Sequence, residues 1–244
     1  MFLELKKKKA VFDSFKPFSP EFKTSYENLN LLDFAFMNLK LDGSNLTKEG
    51  VNEISRGNMI DHVPLFEHRK VENHKFLLRK FYDMIEMDME LDEIQLIRLY
   101  KVLTGNENVK FRENGTMLYH LDYMPPHSGE IQSALGNIFI KLFKTDFQGD
   151  FIRKAVSVHN RIIEVYPFEN ESEALARTAM EYELIRNGMP IIPFELNESD
   201  YNSMLSEYLK TGDSNPLYEN LIDSAYKKFD ILLALLREED MKDF

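Results

Sequence analysis

The feature that most constrains this chain is a proline set between two helical patterns. Val158, Ile162 and Val165 recur on one helical face, and Pro167 ends that helix at Tyr166, because the residue before a proline is driven out of the α region. Beyond it, Ala174, Leu175, Ala179, Tyr182, Leu184 and Ile185 continue a second apolar pattern to Gly188, a residue type suited to ending a helix. Asn170 with Glu173 reads as a capping box, and Glu171 and Glu173 put negative charge on the first turn. The unit is therefore a helix, a short loop and a helix. A loop that feeds a helix N-terminus presents free N–H groups, which makes it a ready anion site.

The remaining periodicities are mostly helical. Residues up to Ser19 read as a loose, flexible segment, with Pro17 and Pro20 as breakers and the basic run Lys6 to Lys9 as a solvated tail. Ser19-Pro20 caps a helix bearing Phe22, Tyr26, Leu29, Leu32 and Phe36, which ends near Gly43. Thr47 opens another, carrying Val51 and Ile54. Lys70 to Met87 forms a third with Phe76, Leu77, Phe81 and Ile85 on its buried face, and Asp92 to Leu103 a fourth, closed by Gly105. Met117 to Tyr123 is the one place where the period becomes two, which predicts a short β-hairpin. Ser128, Asn197 and Ser214-Asn215-Pro216 begin three further helices. With no linker or repeat, the reading is one mainly α domain: a segment 1–19, an N-terminal helical region 20–105 and a core 106–244.

Composition excludes several classes. Thirty Lys+Arg against 41 Asp+Glu give a formal net charge of −11, which disfavours nonspecific nucleic-acid or anionic-membrane binding. Zero cysteines exclude a disulfide framework, a thiol nucleophile and a thiolate metal site. There is no signal-peptide pattern and no run of about 18 apolar residues, so the expected location is cytoplasmic. His62, His68 and His74 recur every six residues and so fall on different helix faces; no metal site is expected from them.

Tyr166-Pro-Phe-Glu-Asn-Glu-Ser-Glu-Ala-Leu-Ala-Arg177 resembles the H-P-F-x-(D/E)-G-N-G-R-x-x-R signature of the Fic (Fido) family, whose members transfer AMP or related groups from ATP to protein hydroxyls. Pro167, Phe168 and Arg177 match. The flanks are similar too: His159 seven positions before Tyr166, Asn187-Gly-Met-Pro190 after the second helix, and Asp200-Tyr201 opening the next. Phe111-Arg112, the stretch Gly115 to Tyr123, and Pro125-Pro126 resemble the family's flap and its paired prolines. Leu41-Asp-Gly-Ser-Asn-Leu-Thr47 with Glu49 is similar to the I-E-G-N-x-L-T-x-E segment of members that carry an N-terminal inhibitory helix. The resemblance runs from about Phe22 to Leu236, and implies a Fic helical core with a β-hairpin flap and an N-terminal helical layer.

The departures fall on the chemistry. Tyr166 stands where the family has its histidine base, and an unperturbed phenol, with a pKa of about 10, accepts protons poorly at neutral pH. Its bland reading is a buried aromatic at the helix–loop junction. Asn170 replaces the acidic magnesium ligand, and Glu169 could substitute only through a rethreaded loop. Glu171 and Glu173 replace both glycines, Ser172 the asparagine and Ala174 the first arginine. A like-charge contact with a phosphate at ~4 Å costs about 4 kcal/mol at an effective dielectric of about 20, so poor ATP binding is predicted. Arg177 remains. The family pairs its counterpart with the inhibitory glutamate, here Asp42, beside Asn38 and Gly43; the resemblance predicts an Asp42–Arg177 ion pair that locks the N-terminal layer to the core.

The leading expectation is a catalytically degenerate Fic-fold protein that binds or regulates a protein partner through the flap (Arg112, Met117, Tyr119, Leu121, Tyr123) and the cleft, with no cofactor. The alternatives are a transferase of altered chemistry using Tyr166 or Glu169, which alone would need ATP and Mg²⁺, and a structural module that forms homo-oligomers.

Overall fold

The computed structural model describes residues 2–240 and contains ten α-helices in that range. At the centre, α7 (Phe151–Val165) packs along α8 (Ser172–Arg186). Every residue of α8 from Ala174 to Ile185 is buried. Its small residues Ala174, Ala176 and Ala179 let neighbours approach from all sides, so a helix with almost no amphipathic pattern is stable only as the central member. Around this pair stand α4 (Leu65–Glu86) and α5 (Glu93–Thr104) against α8, and α6 (Ile131–Lys144) and α10 (Asn215–Asp240) against α7. α2 (Pro20–Leu41) and α3 (Lys48–Ser55) form the N-terminal layer, where Ala35, Leu39, Val51, Ile54 and Val71 make a second, smaller core. α9 (Glu198–Thr211) touches both α2 and α7.

Several helix ends follow the local chemistry. Ser19 accepts from Phe22 N with Pro20 behind it, Asp92 accepts from Gln95 N, Asn197 accepts from Asp200 N, and Gly105 closes α5 in the left-handed region. No helix among the described residues is long and apolar enough to cross a membrane.

The structure corrects five readings. Much of segment 1–19 is helical: α1 (Phe2–Asp13) packs on α10 with Leu5 and Phe12 fully buried, and its prolines lie beyond its end. Two buried positions seven residues apart are too sparse a pattern to announce a helix. The basic run is not simply a solvated tail either, since Lys8 lies 2.5 Å from Asp230 and 3.5 Å over the Tyr226 ring. The expected β-hairpin is absent. Leu118 and Tyr123 form a single antiparallel bridge around a turn, so the apparent alternation spans residues that reverse the chain, and Leu118 and Leu121 point inward three apart. In α4, which begins five residues before Lys70, Phe76 is 49% exposed and the inward face is Val71, His74, Leu77, Leu78, Phe81 and Met84. Ser128 starts a 3-10 turn, Ser128–Glu130, and its hydroxyl donates to Glu113 O rather than capping α6.

One buried ion pair ties the outer layer to the rest. Lys228 of α10 meets Asp33 of α2 at 2.6 Å with both side chains buried, and Lys48 reaches the other Asp33 oxygen at 2.7 Å. Burial holds the Lys228 pKa below its ordinary value despite Asp33. Asp33→Ala, which leaves Lys228 uncompensated, is expected to destabilise the protein by about 3 kcal/mol in chemical denaturation, whereas Asp33→Leu with Lys228→Met recovers most of that loss.

Candidate functional site

The loop between α7 and α8 is held from both sides. Tyr166 ends α7 in the left-handed region at φ 46°, and Pro167 and Phe168 are buried below it. The Phe168 ring stacks on Tyr100 with centroids 3.6 Å apart, and the Tyr100 hydroxyl donates to Asn170 O at 3.0 Å. Ser172 accepts from Phe168 N and donates to Phe168 O, both at 2.9 Å, so its hydroxyl staples the loop shut. On the other side Arg112, 3% exposed, donates to Tyr166 O at 2.8 Å, Asn114 O at 3.1 Å, Val165 O at 3.3 Å, and Pro126 O. It sits on the carbonyl end of α7, where a cation is favoured. Sequence reasoning put Arg112 on a flap and Ser172 in an anion cradle; both side chains are internal braces.

The start of α8 also differs from expectation. Glu171, at φ 57°, takes the N-cap position without a side-chain cap bond, which leaves Asn170 outside the helix and moves Glu173 from the third helical position to the second. The Asn170–Glu173 capping box therefore does not form. Glu173 instead contacts His120 Nε2 at 2.7 Å, and Glu171 pairs with Lys70 at 2.8 Å. Lys70 also lies 3.6 Å from Asp42. Tyr166 joins these residues with Asn170, Glu198 and Asn202 in a cleft of about 390 Å³. Burial first, and then Glu173, raise the Tyr166 pKa above its ordinary value, so the phenol stays neutral and is a poor proton acceptor. Glu169 is exposed and lines a different depression with Tyr100 and Asn106, so Tyr166 and Glu169 are not brought together.

Below the cleft lies the Asp42–Arg177 ion pair that the sequence suggested. Arg177 is fully buried; its Nε donates to Asn38 Oδ1 at 2.8 Å and an Nη to Asp42. Burial opposes its charge, but Asp42, Tyr201 and Glu173 together outweigh that and the net pKa is raised. Gly43 follows the α2 cap at φ 80°, turning the chain away once Asp42 is placed. The guanidinium lies 5.4 Å from the Tyr201 ring, whose hydroxyl donates to His159 Nε2 at 2.7 Å, while His159 Nδ1–H donates to Asn160 Oδ1 at 2.8 Å. Of the flap residues, Leu121 is in the core, Met117 is half-buried, Tyr123 donates to Glu164 O at 3.0 Å, and Tyr119 is 87% exposed. Lys70 and Glu198, which sequence reasoning missed, had no local signal, because each reaches the cleft from a separate helix.

The residues present do not fit a magnesium–polyphosphate. The Ser172 hydroxyl is committed internally, the Arg177 guanidinium is sealed from solvent and paired with Asp42, and Asp42, Glu171, Glu173 and Glu198 outnumber Lys70 and His120 around the opening. Among the described residues, no three His, Asp or Glu side chains group closely enough to hold a metal ion.

Two outcomes follow from this geometry. Asp42→Ala leaves Arg177 charged and sealed, and is expected to lower stability by roughly 3 kcal/mol in a denaturant titration at neutral pH. Burial lowers the pKa of both His74 and His159 to about 4. Between pH 6.5 and 4 the unfolded chain therefore binds protons that the native state does not, so each histidine removes about 3 kcal/mol as the pH falls through that window. Glu181, its pKa raised by burial, acts in the opposite sense. The contribution of His159 is isolated by comparison with His159→Gln, whose stability should fall less between pH 7 and pH 4.5.

No family model matches the sequence, and no curated protein does. Solved structures do match in shape. A Fic domain containing signalling protein from Bacteroides thetaiotaomicron superposes with a TM-score of 0.78 at 17% identity, covering 96% of this chain and 98% of that one. Fic-1 from C. elegans gives 0.77 at 15% identity over 98% of this chain and 72% of that one, and a Fic family protein from Desulfovibrio desulfuricans G20 gives 0.71 at 17% over 99% and 74%. Likeness of this extent at such low identity establishes the architecture, and the chain has the Fic (Fido) fold.

Proposed function

We propose that this Fic-fold protein acts by binding another protein and does not transfer nucleotides. The reading rests on the commitment of the groups a polyphosphate would need. Ser172 is bonded at both ends of its hydroxyl to Phe168, Arg177 is closed off between Asn38 and Asp42, and the N-terminus of α8 carries the Glu171 carboxylate. The position of the proton acceptor holds a phenol that burial keeps protonated. What remains open to a partner is the exposed turn bearing Tyr119, the neighbouring Met124, and the acid-lined cleft beside them. Large aromatic side chains left in solvent are the usual anchors of protein contacts.

Titration calorimetry with ATP, with and without Mg²⁺, is expected to show no binding heat. Saturable magnesium-dependent binding, or transfer of nucleotide label to a protein that Tyr166→Phe abolishes, would overturn the reading.

A further inference from the structure

The last two turns of α6 carry an outer face that none of the described residues covers. Ile140 is 53% and Phe143 66% exposed, three residues apart and therefore on one stripe. Asn137, Lys141 and Lys144 form the adjoining stripe, all exposed. Neither lysine has an ion-pair partner among the described residues, in a chain of net charge −11 where many other lysines are neutralised by a neighbour. The two stripes border two concavities that share Leu142 and Thr145. One, of about 210 Å³, is walled by Leu91, Phe139, Phe143 and Phe147, with two carboxylates at its side that are already paired, Glu183 with Lys154 at 2.8 Å and Glu90 with Arg186 at 3.4 Å. The other, of about 550 Å³, lies between α6 and α7 and is lined by Lys141, Lys144, Arg161, Asn137 and Ser157, with Tyr123 and Pro126 at its edge. Its carboxylate, Glu164, is already held by Arg161 at 2.8 Å and by the Tyr208 hydroxyl at 2.5 Å. The cleft therefore offers unspent cationic and amide donors beside an aromatic hollow.

We propose that this face of α6 is a docking surface for an acidic peptide segment of a partner protein, with aromatic or aliphatic anchors seated beside its carboxylates. The occupant follows from charge complementarity. An acidic segment is repelled by the net charge of −11 and attracted by the unpaired Lys141 and Lys144, which favours landing here. The apolar hollow supplies the contact that does not depend on salt. This inference rests on the protein-binding reading and gives the partner a chemistry.

The test uses the whole protein and three fluorescein-labelled synthetic peptides: one alternating Glu and Phe, one with Lys for every Glu, and one with Ser for every Phe. Anisotropy is expected to show binding of the first alone, weakening with salt. Lys141→Glu with Lys144→Glu, or Phe143→Ala, should weaken it about tenfold, and both variants alter exposed side chains, so circular dichroism should report an unchanged fold. Equal binding of the Lys peptide, or affinity unchanged in both variants, overturns the proposal. So does inorganic phosphate binding that the lysine variants abolish without any peptide binding, which would mark a small-anion site. A dimer in light scattering that Phe143→Asp dissolves also overturns it, in favour of a second copy of the chain. ATP binding would defeat the previous reading while leaving the peptide result intact, so the two failures are distinguishable.

Discussion

A guanidinium with no exposed surface sits at the centre of this protein, and much of the surrounding structure follows from keeping it charged. Arg177 lies on the most buried helix, where an unpaired cation would cost several kcal/mol. Its partners come from a different layer: α2 must end where Asn38 and Asp42 both face α8, and Gly43 must then turn the chain away. The same pocket brings Tyr201 from α9 and His159 from α7, whose ring is kept neutral by burial. Four helices thus meet at one polar point inside an apolar core, which specifies their mutual placement more sharply than hydrophobic burial alone, a contact without direction.

That commitment has a consequence for chemistry. A donor held by its own protein is not free to meet a ligand: Ser172 and Arg112 are bonded to backbone carbonyls, and Arg177, held by Asn38 and Asp42, is sealed from solvent although one Nη has no hydrogen-bond partner. The loop from Tyr166 to Glu171 is correspondingly rigid, held by the Phe168–Tyr100 stack and by carbonyls bonded to Arg112. At the mouth Glu171 pairs with Lys70 and Glu173 contacts His120 Nε2, while Asp42 and Glu198 leave the acids in excess. Under the proposed reading the chain presents surface instead of holding a polyphosphate: the Tyr119 turn adjoins the cleft through His120, and the outer face of α6 lies on a different element.

The sequence was legible where the chemistry is local. Ser19, Asp92, Gly105 and Asn197 mark helix ends because a cap or a left-handed residue acts within a few positions of itself. The Asp42–Arg177 pair could be read only through the family resemblance, since the two residues are far apart in sequence. The misreadings share a cause. Met117 to Tyr123 alternates in hydrophobicity, but a turn of four residues consumes the middle of it, and periodicity cannot tell a strand from a turn that buries two leucines. The Asn170–Glu173 motif has the right spacing, yet the left-handed Glu171 shifts the cap by one residue.

The sequence by itself determined a helical chain broken at Pro167, with caps, an acidic balance and the positions of its departures from the Fic motif. Tertiary structure alone decided what those departures do. Whether Glu171 repels a ligand or pairs with Lys70, and whether Arg112 reaches outward or braces a helix end, depends on side chains that approach from other elements. Such meetings are set by packing between helices, and no local period in the chain encodes them.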